Sequence, residues 1–128
     1  MTSKETILVV DDEEVNLIHF QMLVEDEYEV LIADSGISGL AILNEHPNIR
    51  AIVVDMKMVE MNGMEFIHKA SQLHPNKVFL MLTGYSMTEE IAAGIRSGLV
   101  YEYIQKPLDK DIIVYKLKEA LASTNPHL

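Results

Sequence analysis

The chain has 128 residues, 48% of them apolar and 23% charged, which is the composition of one globular domain with a single core. Without cysteine it holds no disulfide, thiolate metal site or cysteine nucleophile, which accords with a cytoplasmic location. A net charge of −10 excludes a sequence-independent grip on nucleic-acid phosphates, and no apolar run nears the ~20 residues that span a bilayer.

The elements alternate along the chain. "TILVV" (6–10) reads as a buried strand, and "EEVNLIHFQMLVE" follows it as a helix in which Val15, Ile18 and Met22 share an apolar face. "YEVLIA" (28–33) is the second strand, and 36–45 the second helix, with Ile37, Leu40 and Ala41 expected inward. "AIVV" (51–54) leads to a helix from about Met64 to Leu73, striped by Phe66, Ile67 and Ala70. "VFLML" (78–82) leads to a fourth helix with Thr88 as N-cap and Gly98 as its stop. "VYEYI" (100–104) leads to a last helix over 109–122.

Strands apolar at consecutive positions suit a parallel sheet covered on both faces. Five βα units with right-handed crossovers then predict a doubly wound, five-stranded parallel α/β sheet. In such sheets the functional crevice lies beyond the carboxyl ends of the strands, where strand order reverses.

Those strand ends carry charge. The first ends in Asp11 and Asp12, followed by Glu13 and Glu14; the third ends in Asp55, the fourth in Thr83, and the fifth is followed by Lys106 in "QKP". Residues 1–64 hold 13 acids and 3 bases while residues 65–128 hold seven of each, so the acidic excess either solvates a surface or lines a cation site. Clustered carboxylates repel, and they stay ionised together with a cation beside them. An all-oxygen set suits Mg²⁺, and a lysine with a hydroxyl nearby completes a holder for a phosphoryl group. Taken singly, each feature has an ordinary reading: "DDEE" as an acidic helix start, Thr83 as a cap, "KP" as a turn. Their conjunction at one end of one sheet favours the site.

The segments "ILVVDDE", "VVDMKMVEMNG", "LMLTG" and "YEYIQKPLD", in that order, resemble the response-regulator receiver domains of two-component signalling. The resemblance covers essentially residues 5–122 and leaves 123–128 as a tail or the start of a linker. It implies a CheY-like, flavodoxin-like (βα)5 fold with strand order 2-1-3-4-5. It implies that Asp55 is the phosphoacceptor, taking a phosphoryl group from a sensor histidine kinase or phosphotransfer protein. Asp12, Asp55 and the Lys57 backbone carbonyl would hold Mg²⁺ (or Mn²⁺), with Asp11 in support. Lys106 and Thr83 would bind the phosphoryl group, and Tyr103 would be the aromatic switch. The output surface would be the fourth helix, fifth strand and fifth helix, meeting an effector domain or output protein, with the chain a monomer or a weak dimer through that surface. The domain would catalyse its own phosphorylation and dephosphorylation, without contact to nucleic acid or membrane.

Departures from the family pattern are local. Val59 stands where proline is common, Gly84 where alanine is common, and Leu99 where a small residue is usual. The first two predict less rigid loops. Lys57 and Tyr85, each two residues beyond a site residue, are candidates for tuning the phosphoryl lifetime by hindering the hydrolytic water. Met56, Met58, Met61 and Met64 read as adaptable packing, and the five histidines lack metal-ligand spacing.

Two rival classes compete with this reading. A Mg²⁺-dependent aspartyl-phosphate phosphatase wants a second aspartate two residues beyond the nucleophile, where this chain has Lys57. A degenerate receiver, acting as an interaction module alone, would have lost part of the acid, threonine and lysine set. No phosphate-binding glycine motif follows any strand.

Overall fold

The structure is a computed structural model, described for residues 4–84 and 88–124. Five strands, β1 (Glu5–Val10), β2 (Tyr28–Ala33), β3 (Ala51–Asp55), β4 (Val78–Thr83) and β5 (Glu102–Gln105), alternate with five helices. The helices are α1 (Glu14–Val24), α2 (Gly36–Glu45), α3 (Gly63–Leu73), α4 (Glu89–Ser97) and α5 (Lys110–Ser123). All strand pairs are parallel, in the order β2-β1-β3-β4-β5, so the order reverses at β1 and β3.

The consecutive apolar residues serve two cores. Ile7, Val9, Val53, Leu80 and Leu82 face the layer that holds Leu17 and Phe20 of α1 and Ile113 and Leu117 of α5. Their neighbours Leu8, Val10, Ile52, Val54 and Met81 face the layer of α2, α3 and α4. A strand buried on both sides has no polar face to show, so it reads as an unbroken run.

The helix faces sharpen one expectation and correct another. Val15, Ile18 and Met22 do share a face of α1, but it is the outer one: Val15 is 79% and Met22 64% exposed. The sheet is met instead by Leu17, Phe20 and Val24. Both stripes are apolar at helical spacing, so periodicity alone could not choose between them. In α2, Ile37 is 71% exposed, Ala41 is exposed and Leu40 half-buried, while Gly36, Gly39 and Leu43 turn inward. The inner face is glycine because the helix packs tightly there. A Cβ on Gly39 would lie 2.9 Å from Phe66 and 3.1 Å from Val10, and one on Gly36 would strike the Met61 sulfur. Hydrophobicity patterns are blind to that use of glycine.

Elsewhere the boundaries follow local chemistry. Thr88 accepts Ile91 N–H at the start of α4, and Gly98 ends it at φ +84. Asn62 and Glu65 form a reciprocal capping box on α3. Gly63 is needed for approach: a Cβ there would lie 2.6 Å from the Asp55 carbonyl oxygen. β5 starts two residues later than expected, because Val100 is buried in the connection with its N–H on Gly94 O. No described helix is long and apolar enough to cross a membrane.

Candidate functional site

The carboxyl ends of β1, β3, β4 and β5 open onto a cleft of about 870 Å³ bordered by Asp12, Asp55, Lys57, Val59, Thr83 and Lys106. Asp55 is the last residue of β3 and Thr83 the last of β4; both are buried, as is Asp11 just beyond β1. They are the three buried polar or charged residues among the described ones. Burying polar and charged groups is costly unless they are paired, so their clustering at these strand ends makes this the candidate site.

Asp55 is held by two donors. Oδ1 accepts Lys57 N–H at 2.8 Å and Oδ2 accepts Lys106 Nζ at 2.7 Å. Lys106 is aimed by its backbone: its N–H donates to Thr83 O at 2.8 Å, and the cis Lys106–Pro107 bond follows. Burial works against the ammonium, but the hydrogen bond and charge of Asp55, backed by Asp11 and Glu13, hold its pKa above the ordinary lysine value.

Asp11 is 1% exposed. Its Oδ1 accepts Glu13 N–H at 2.9 Å, while its Oδ2 is buried with no donor at hydrogen-bond distance among the described residues. Burial first, and then the nearby Asp55 carboxylate, push its pKa up to about 7, against the pull of Glu13 N–H and of Lys106. Asp12 is half-buried at the rim of the same cleft, accepting Val59 N–H on Oδ2 at 2.8 Å. A buried oxygen without a donor, beside the Asp55 carboxylate, is a donor set that fits a hard divalent cation. Among the described residues, no three acidic or histidine side chains already converge as a ready cage.

The loop after Asp55 shows how residue 59 is accommodated. Met61 N–H closes on Val59 O at 2.7 Å, with Glu60 at φ +69. Both backbone groups of Val59 are therefore engaged, and the loop is braced by hydrogen bonds in place of a proline ring. Met56 and Gly63 close the same loop across its base at 3.0 Å.

Tyr103 lies on β5, half-buried against the α2–α4 core. Lys116 of α5 grips it twice, donating to its carbonyl oxygen at 2.6 Å and standing 4.9 Å from the ring centroid. Neither the Val59–Asp12 bond nor the Lys116 contact has a signal in the sequence, because each joins elements distant along the chain. Lys57 is exposed above the cleft. Tyr85 lies outside the described residues.

This arrangement has known counterparts. The sequence matches the response regulator receiver domain family over residues 7–118. The chain is a receiver domain. Similar solved receivers include one from Clostridium thermocellum, at 30% identity and TM-score 0.86 over 93% of this chain and 95% of that one. Another, CheY-like and from Methanospirillum hungatei, has 32% identity and TM-score 0.83 over 95% and 97%. Among curated relatives, the hydrogenase transcriptional regulatory protein HoxA of Bradyrhizobium diazoefficiens is 33% identical over 94% of this chain and 25% of its own length. The transcriptional regulatory protein ZraR of Escherichia coli is 32% identical over 93% of this chain and 27% of its own. The receiver thus spans about a quarter of the length of these relatives, and it is a component of two-component, phosphorelay signalling.

Proposed function

We propose that Asp55 is the phosphoacceptor of this receiver, taking its phosphoryl group from the phosphohistidine of a sensor histidine kinase or phosphotransfer protein. The observation that carries the reading is the Lys106–Asp55 contact of 2.7 Å, set beside the orphaned Asp11 oxygen in one open cleft. An Asp55 oxygen attacks phosphorus, the P–N bond breaks, and its electron pair leaves on the imidazole nitrogen, giving an acyl phosphate. Lys106 neutralises the carboxylate beforehand and follows the charge onto the phosphoryl oxygens afterwards. Thr83, buried at the adjacent strand end, supplies a hydroxyl to the same group.

Asp11, Asp12, Asp55 and the Lys57 carbonyl would hold Mg²⁺ (or Mn²⁺), which when bound supplies charge neutralisation to the transferring group. The new charge on Asp55 draws Thr83 and Lys106, and through them biases Tyr103 and the surface of α4, β5 and α5. Tyr101, Ile112 and Tyr115 are exposed there for an output partner or a weak dimer. A cytoplasmic setting and a domain spanning 5–122 complete the reading.

The test is intact-mass measurement after incubation with a small phosphodonor and Mg²⁺. Wild type should gain one phosphoryl group and Asp55→Asn none; an adduct that persists in Asp55→Asn would overturn the assignment. The same adduct times the lifetime: Lys57→Ala should lose phosphate several-fold faster if the lysine shields it from water, and an unchanged decay removes Lys57 from that role.

A further inference from the structure

The bond between Val59 and Asp12 exists because residue 59 is not proline. Proline has no N–H, whereas here that N–H donates to Asp12 Oδ2 at 2.8 Å. The Val59 side chain is 78% exposed and packs little, so the residue acts through its backbone. Resting on the reading of Asp12 as a cation ligand, we propose that the Val59 amide is a latch: it holds Asp12 against the β3–α3 loop, and a divalent cation must displace it.

Three observations carry this. The donor occupies one of the two Asp12 oxygens, so a cation competes with it for the same carboxylate. The acidic groups do not converge as a ready cage among the described residues, although Asp11 and Asp12 are adjacent and Asp11 shares its surroundings with Asp55. Asp12 is the member whose carboxylate is drawn toward the loop. Finally, Val59 O is fixed by Met61 N–H, with Glu60 at φ +69, so the amide is held in place by a closed turn. Release of Asp12 toward the cation then frees one side of that turn. Cation capture and the freedom of the β3–α3 loop are coupled in this chain, which a proline at 59 would uncouple.

The test is calorimetric titration with Mg²⁺ of wild type, Val59→Pro and Val59→Ala, together with the Val59 amide resonance in wild type. Val59→Pro, lacking the donor, should bind Mg²⁺ roughly three- to tenfold more tightly, the range a hydrogen bond to a partly exposed charge implies. Val59→Ala, which keeps the donor, should match wild type, and the wild-type amide should move upfield and exchange faster on saturation with Mg²⁺. Equal or weaker binding by a folded Val59→Pro overturns the latch, and so does equal tightening in both variants. Should Val59→Pro not fold, an amide resonance unmoved by Mg²⁺ overturns it on wild type alone. A wild-type chain that takes up no Mg²⁺ at millimolar concentration is a different failure. It sinks the cation reading itself, before any variant is compared.

Discussion

Asp11 shows what a single buried carboxylate costs. In the folded chain its pKa stands near 7, because burial and the Asp55 charge both disfavour ionisation. In the unfolded chain it ionises at about 4. Between those values the folded state holds a proton that the unfolded state has lost, so stability falls as pH rises through that window. Asp11→Asn carries no such charge. In EDTA at pH 8 it should therefore be more stable than wild type by up to a few kcal/mol, the advantage vanishing toward pH 4. With saturating Mg²⁺ the order should narrow or reverse, because wild type gains a ligand-bound state. Thermal melts across pH with and without Mg²⁺ check both halves. Lys106 is the counterpart: Lys106→Met leaves Asp55 and Asp11 together without their cation. It should cost about 1–3 kcal/mol of stability near neutral pH and abolish most phosphorylation by a small donor, read by melts and intact mass.

At the scale of elements, two glycines make opposite demands. Gly39 on α2 has Phe66 and Val10 within 3.1 Å of where a Cβ would stand. Gly39→Ala should therefore separate α2 from α3 and cost about 1–3 kcal/mol, visible as a lower melting temperature. Gly84, after β4, meets nothing within 4 Å among the described residues and is not one of those at positive φ. Gly84→Ala should fold unchanged or gain about 0.4–1 kcal/mol through a stiffer unfolded chain. Among the described residues nothing opposes the family's usual alanine at this position. The outward stripe of α1 belongs to the same scale. Leu17, Phe20 and Val24 satisfy the sheet, so Val15, Ile18 and Met22 contribute apolar surface to the outside of the molecule.

At the scale of the whole molecule, the far end of the sheet is tied by Arg50. Its guanidinium grips Glu5 of β1 at 3.0 and 3.1 Å and also donates to Thr124 Oγ1 at 2.6 Å and Leu121 O at 3.4 Å. One side chain thus joins the start of β1, the approach to β3 and the end of α5. Arg50→Met should speed amide exchange in the last turn of α5 while mid-sheet amides of β1 and β3 stay protected. Uniform loosening would show that the tie is spread elsewhere. The chemistry sits at the opposite end, so that a change at α5's end need not disturb Asp55.

Much of this architecture was legible from residue order. Unbroken apolar runs meant strands buried on both faces, alternation with helical stretches meant a doubly wound sheet, and Asp11, Asp12, Asp55, Thr83 and Lys106 all stood at strand ends. Helical periodicity and the two-fold alternation of side chains along a strand operate locally, so those features follow from neighbours in sequence. Tertiary structure alone decided which stripe of α1 faces the sheet, why α2 turns glycines inward, and where Val59 sends its N–H. Each depends on groups brought together from distant positions: Phe66 against Gly39, Lys116 under Tyr103, Asp12 across from the β3–α3 loop. No periodicity in a single strand of text records the space between packed elements, and it is in that space that a valine amide comes to hold a carboxylate.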